Sequence, residues 1–409
     1  GLDSMTKLHT KLVLLTLAST TLLGLASPIM AQELKKTPDL TKDFSQSQAS
    51  QASSFTMPSG YPEELNSLTE DTRSYVVIDQ DTHKVLMERE GNKPYPIASM
   101  SKIMSVYLTY KAIEEGKIKL DDKIKTPESI VRDFTDNAEL SNAGLVTDAE
   151  YTVQDLLYGI MLASGNDATT LLMSHIYGSE QEAVAAIRRQ LDEWGIENYE
   201  FYTTSGAPNK YLPESYWIEG STKDSQNKMS AADVALMAQY ITEKYPQILE
   251  LSSAREYTMA KDSDHPIKMA NNNLLLEGAQ YGRPGVTGLK SGYTDEAGKC
   301  FVTTTTENGR KMIAVVMGVQ EPYSSYEETK ILLDGLNKHP DLYQLEGLAT
   351  NLLPTQAEKE AQAAKAASEE AASKAQAAGS SKEENVESLP NRRNNPFTNF
   401  MRSIFGIFN

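Results

Sequence analysis

The chain has 409 residues, 40% of them hydrophobic and 23% charged, and a formal net charge of −17. So strong a net acidity argues against nucleic acid as a partner. Its single cysteine, Cys300, excludes an internal disulfide, so ordinary core packing must hold a chain long enough for one large domain with appendages.

Residues 1–31 read as an export signal. Lys7 and Lys11 supply the positive start, Leu12 to Ala26 the apolar stretch, and Ser27 to Ala31 a small residue for cleavage. That stretch is short for an uncleaved anchor. The four residues before Met5 read as an added scar or an upstream extension. Residues 32–60, rich in Ser, Gln and Thr without periodicity, read as a flexible leader.

Residues 61–347 alternate strand and helix signals. Ser74–Asp79 and Lys84–Glu88 are β-rich runs joined by Gln-Asp-Thr-His, a hairpin. After Pro96 the residues Ile103, Val106, Tyr107 and Tyr110 recur at helical spacing, with Gly116 as a stop. Thr152-x-x-Asp155 and Ser230-x-x-Asp233 open two further helices with capping-box chemistry. Gly288–Tyr293, Lys299–Thr306 and Arg310–Gly318 form a closing meander. Strands from both ends closing one antiparallel sheet, with a helical block between them, predict an α+β layer arrangement. Cys300 falls on one of these strands as a small buried residue.

A spacer is assigned to 348–395, which from Thr355 becomes Ala, Glu, Lys, Gln and Ser. This composition suits a solvated, partly helical rod. In the last segment, 396–409, Phe397, Phe400, Met401, Ile404, Phe405 and Phe408 fall on one helical stripe, with Arg392 and Arg393 upstream. Too short to span a bilayer, the stripe is expected to lie on an anionic membrane surface.

The chemistry is carried by three motifs in fixed order: Ser99-Met-Ser-Lys102, Ser164-Gly-Asn166 and Lys290-Ser291-Gly292. A serine needs a base to act as nucleophile. Lys102, at i+3 on the same helical face, supplies one without a histidine. Ser99 is expected in the first helical turn, where free N–H groups favour a developing oxyanion. His9, His83, His175, His265 and His339 are scattered, and no cluster has zinc spacing, so no metal or other cofactor is expected.

The stretches IASMSKIMSVY, YTVQDLLYGIMLASGNDA and GLKSGYTDEAGKCFV resemble low-molecular-mass penicillin-binding proteins of the serine D-Ala-D-Ala carboxypeptidase family, over about Gly60 to Gly318. The resemblance implies the serine β-lactamase/transpeptidase fold, with stem peptides of peptidoglycan as substrate and β-lactams as acylating ligands. Its implied roles run residue by residue. Ser99 attacks the penultimate D-Ala carbonyl, Lys102 accepts its proton, and Ser164 relays a proton to the leaving amine. Asn166 holds the substrate backbone and steadies Lys102. Lys290 supplies positive potential, Ser291 binds the substrate carboxylate, and Gly292 permits close approach to the strand. The N–H groups of Ser99 and Tyr293 form the oxyanion hole, each donor contributing ~3 kcal/mol. Export would leave the enzyme at the outer face of the cytoplasmic membrane.

Two departures from the family pattern stand out. Ser291 occupies a position where Thr is commoner. Many relatives also carry a separate β-rich domain, whereas here only Glu321 to Pro354 separates the last strand from the spacer, so the helical rod is expected to hold the domain off the membrane. A class A-like β-lactamase, a D,D-transpeptidase and a non-catalytic wall-binding module remain alternatives. The first lacks its leucine-asparagine pattern around Glu197 and Glu200.

Overall fold

The structure is a computed structural model that describes residues 54–353 and 356–383. The proposed signal (1–31), most of the leader, the end of the spacer and the apolar stripe of 396–409 lie outside those residues.

The amino-terminal hairpin is β1 (Ser74–Asp79) and β2 (Val85–Arg89), and the closing meander is β3 (Val286–Thr294), β4 (Gly298–Glu307) and β5 (Arg310–Val319). β1 pairs antiparallel with β5, from Ser74↔Met317 to Asp79↔Met312. The two ends of the domain thereby close one five-stranded sheet in the order β2-β1-β5-β4-β3. β3, which carries the third motif, is left on an edge.

Between these strand groups come α1 (Lys102–Glu114), α2 (Val153–Ala163), α3 (Asn166–Tyr177), α4 (Glu180–Glu193), α5 (Ala231–Lys244) and α6 (Ile248–Ser253). α7 (Ser325–Asn337) follows the sheet. Alternation along the strands sends side chains to both faces. Val76, Ile78, Val302, Ile313 and Val315 pack with the helical block. Tyr75, Val77, Phe301, Ala314 and Val316 pack with Leu332, Leu333 and Leu336 of α7. The result is the α+β layered architecture expected from the chain order.

α1 runs through the middle of the helical block. Every residue from Lys102 to Tyr110 is buried, so it shows no polar face. Thr152 caps α2 reciprocally with Asp155, and the Ser230 hydroxyl accepts the Asp233 N–H. Cys300 is buried in β4 with its thiol pushed up to about 11 by desolvation.

Both sequence-drawn margins of the domain move outward. Phe55 and Met57, assigned to the leader, pack against the core. Leu348, Ala349, Leu352 and Leu353, assigned to the spacer, are buried. Val85 N–H donates to Ala349 O at 2.8 Å, tying this segment to β2. Each stretch is too short to show a period, but a few apolar side chains suffice to seal a sheet edge.

The second compact unit begins at Ala357. α8 (Gln356–Glu383) spans about 42 Å at helical rise and carries a Lys374–Glu370 ion pair of 2.7 Å on its exposed surface. Among the described residues, no helix is long and apolar enough to cross a membrane.

Candidate active site

A cavity of about 480 Å³ opens beside the edge strand β3, lined by Ser99, Ser164, Ser291, Gly292 and Tyr293. The structure brings the eight sequence-predicted residues together here. Six have side chains or backbone at the site's centre. Gly292 contributes a bare backbone edge, and the Tyr293 ring lies at the rim, exposed and hydrogen-bonded to Asp295.

Ser99 does not lie in the first turn of α1. It sits in a 3-10 turn, Ala98–Ser101, ahead of the helix. Ala98 has φ +47°, outside the range a regular helix allows, so α1 cannot begin before it. A non-glycine residue held there costs about 1–3 kcal/mol, and the surroundings enforce it. The Ser101 hydroxyl donates to Ala98 O at 2.7 Å and accepts from Asn227 Nδ2 at 2.9 Å.

Two glycines press on the same turn. A Cβ at Gly206, whose φ is +85°, would fall 2.0 Å from Ala98 O. A Cβ at Gly292 would fall 2.8 Å from Ser99 N. Besides any room it leaves for substrate, Gly292 lets β3 touch the serine turn.

Lys102 is fully buried at the start of α1. Its Nζ lies 2.7 Å from Ser99 Oγ, 3.0 Å from Asn166 Oδ1 and 2.8 Å from Ser205 O. Asn166 Nδ2 donates to Ser141 O at 2.8 Å, which turns its carbonyl oxygen toward Lys102. Desolvation, then the charge of Lys290, push Lys102 well below its ordinary value, with Asp167 pulling the other way.

The second motif is the break between two helices. α2 ends in the left-handed residue Ser164 (φ 53°, ψ 41°) and α3 begins at Asn166. The reversal swings the Ser164 side chain into the cavity, where Lys290 Nζ lies 2.9 Å from its Oγ. Lys290 also donates to Ser291 O at 2.9 Å. Burial pushes Lys290 down to about 7.

The family match covers residues 62–321, to the D-alanyl-D-alanine carboxypeptidases of peptidase family S11. The chain belongs to this family. It is 33% identical over 267 residues to D-alanyl-D-alanine carboxypeptidase DacF of Bacillus subtilis, covering 65% of this chain and 62% of that protein. The crystal structure of a peptidoglycan synthesis regulatory factor (PBP3) from Streptococcus pneumoniae is similar at 35% identity and TM-score 0.62, covering 66% of this chain and 72% of that one. Penicillin-binding protein 5 from Haemophilus influenzae follows at 26% identity and TM-score 0.55, covering 70% and 72%. These neighbours share the serine transpeptidase fold.

Several residues that build this S11 site carry no motif signal. The Ser205 carbonyl is a backbone group, and any residue type offers one. Asp167 is wholly buried beside the second motif. Its carboxylate accepts the N–H groups of Ala143, Gly144 and Leu145 at 2.8, 3.0 and 3.1 Å, fixing the loop that carries Ser141. Its neighbourhood to Asn166 was the available hint. Tyr326, from the start of α7, lines the cavity with its hydroxyl donating to Asn272 O at 2.8 Å and facing Ser291.

Proposed function

We propose that this chain is a serine D-Ala-D-Ala carboxypeptidase that removes the terminal D-Ala from peptidoglycan stem pentapeptides through an acyl-enzyme on Ser99. β-Lactams acylate the same serine. The observation that carries the reading is the setting of Lys102. A neutral amine has two N–H groups and one lone pair. Asn166 Oδ1 and Ser205 O can only accept, so they take the two N–H groups and leave the lone pair facing the Ser99 hydroxyl. Desolvation and Lys290 favour that neutral form.

The steps follow. Ser99 Oγ attacks the penultimate D-Ala carbonyl as its proton passes to Lys102. The N–H groups of Ser99 and Tyr293 receive the oxyanion. The C–N bond then breaks, with a proton delivered to the departing amine through Ser164, whose hydroxyl contacts Lys290. Lys290 and Ser291 hold the terminal carboxylate. Water attacks the ester, giving the shortened peptide and free Ser99. A β-lactam follows the first half, but its leaving amine stays tethered.

The β-lactamase alternative is disfavoured because neither Glu197 nor Glu200 lines the cavity. Tyr202 and Lys228 engage Glu200 instead. Mass spectrometry after penicillin treatment tests the reading. One acyl group is expected on the peptide containing Ser99 and none in Ser99→Ala; labelling that survives the substitution refutes it.

We further propose that the protein is exported and attaches peripherally to the outer face of the cytoplasmic membrane through 396–409. The aromatic stripe and the arginines at 392 and 393 support this. Truncation after Glu387 should abolish liposome flotation and spare cleavage of short peptides.

A further inference from the structure

Lys102 owes one of its two fixed acceptors to a backbone carbonyl, so whatever holds residue 205 also aims the amine. Residues Tyr202–Ala207 form an irregular segment beneath the serine turn. Asn227 holds one end, its Oδ1 accepting Tyr202 N–H at 2.6 Å and Thr203 N–H at 3.2 Å. The Ser105 hydroxyl donates to Thr204 O at 2.7 Å. The peptide N–H of Thr204, one residue before the Lys102 acceptor, goes elsewhere.

It goes to Glu180, the first residue of α4, which is only 4% exposed. Glu180 Oε1 accepts Thr204 N–H at 2.7 Å, and Oε2 accepts the Thr204 hydroxyl at 2.8 Å. Among the described residues Glu180 forms no ion pair; desolvation raises its pKa, and the two Thr204 bonds oppose that. Burying a carboxylate without a cation is costly. At a helix start, an exposed acid would serve the dipole equally well. What this acid supplies that an exposed one does not is a two-oxygen acceptor gripping both donors of Thr204.

We propose that Glu180 is a positioning residue for acylation: by holding Thr204 at its N–H and its hydroxyl, it fixes the Ser205 carbonyl and keeps the Lys102 lone pair on Ser99. The proposal rests on the assignment of Lys102 as base. The link runs through one peptide unit, from the Glu180 carboxylate to Thr204 and then to the Ser205 carbonyl 2.8 Å from Lys102 Nζ. The Gly206 N–H, in the same peptide plane as that carbonyl, also donates to Thr203 Oγ1 at 3.0 Å, and Ser105 holds Thr204 O, so loss of Glu180 shifts the carbonyl rather than freeing it. A shift of that kind lengthens one of the two fixed contacts of the amine and turns its lone pair off Ser99.

Stopped-flow acylation by a penicillin separates affinity for the encounter complex from the acylation rate constant. Misplacing a catalytic group by about 1 Å costs about a hundredfold in rate. Glu180→Ala is expected to lose about that factor in the rate constant, with affinity changed by less than about twofold. Glu180→Gln keeps an acceptor for Thr204 N–H and can donate to the Thr204 hydroxyl oxygen, so it should recover most of the rate. Thr204→Val keeps the N–H bond, loses the hydroxyl bond and should fall between. Thermal melting corrects each rate for the folded fraction, and Thr204→Val stands in for Glu180→Ala if that variant does not fold.

Wild-type acylation rates in both Glu180→Ala and Thr204→Val overturn the proposal. So does a Gln variant as slow as Ala, which would make the charge, not the grip, the active feature. A loss of affinity matching the loss of rate also overturns it, since that is general damage to the cavity. If wild-type protein takes no acyl group on Ser99, the assignment of Lys102 falls and this proposal falls with it. Labelled wild type with both Glu180→Ala and Thr204→Val unaffected removes the positioning role alone.

Discussion

The helix side and the strand side of the cleft each bury one lysine, and the two differ in what they touch. Lys102 meets a serine hydroxyl and two groups that can only accept. Lys290 meets a serine hydroxyl and the carbonyl of its own neighbour, Ser291. Both are pushed down by desolvation, and Lys290 pushes Lys102 further. Burial alone therefore does not assign roles. The partner sets support the proposed division, in which the Lys102 lone pair faces Ser99 and Lys290 serves beside Ser164.

The sharpest way to break that comparison is Lys102→Arg. Arginine keeps the charge and cannot release a proton in a protein. Loss of a general base costs about 10²–10⁴-fold, so acylation by penicillin should fall about a thousandfold in a stopped-flow assay. Near wild-type acylation would reduce Lys102 to an electrostatic role.

Lys290→Met should cost less in rate and give something back in stability. Removing the charge proposed to face the substrate carboxylate should lower kcat/KM about a hundredfold on short D-Ala-D-Ala peptides. A lysine that titrates at about 7 when folded, against its ordinary 10.5, holds fewer protons in the folded state between those values. Stability from this group therefore rises with pH across that window and is lowest at and below about 7. The Met variant should melt above wild type near neutral pH, and its advantage should shrink toward pH 10. An advantage that grows with pH would contradict the depressed value.

The same contrast explains what could be read from the sequence. Ser99, Lys102, Ser164, Asn166 and Lys290 bring side chains together from three short motifs, so the sequence announces them. The sheet was legible because hairpin and meander signals sit at opposite ends of one domain. What could not be read acts through backbone or at long range. The Ser205 carbonyl has no sequence signature, and the Glu180 carboxylate looks like any acid at a helix start. The 3-10 turn at Ser99 depends on Ala98, a residue whose left-handed backbone no propensity scale predicts. Gly206 stands 107 positions after Ser99 in the numbering, yet it shapes the same turn.

Gly292→Ala tests how closely the two sides must meet. The new methyl group would lie 2.8 Å from Ser99 N, a backbone atom that cannot move cheaply. Overpacking of this kind costs about 1–3 kcal/mol, so chemical denaturation should register a loss in that range. A shift of a few tenths of an ångström in the serine turn should slow acylation about ten- to a hundredfold. Wild-type acylation with unchanged stability would mean the strand and turn tolerate separation.

The smallest effect is expected at Ser291, which faces the cavity from the edge strand near the Tyr326 hydroxyl. Its proposed task is one hydrogen bond to the substrate's terminal carboxylate. A hydrogen bond to a charged group contributes about 1.5–3 kcal/mol, so Ser291→Ala should lose at least about tenfold in kcat/KM on peptides ending in free D-Ala. The hydroxyl is not packed in the core, so the melting temperature should hardly change. Ser291→Thr restores the hydroxyl, and its extra methyl group can point into the open cavity, so activity should return. Peptides with an amidated C-terminus supply the control. They lack the charge that Ser291 is proposed to meet, so the Ala substitution should cost them less than it costs the free acids. Equal losses on both peptide types would remove carboxylate recognition from this residue and leave it as part of the cavity wall.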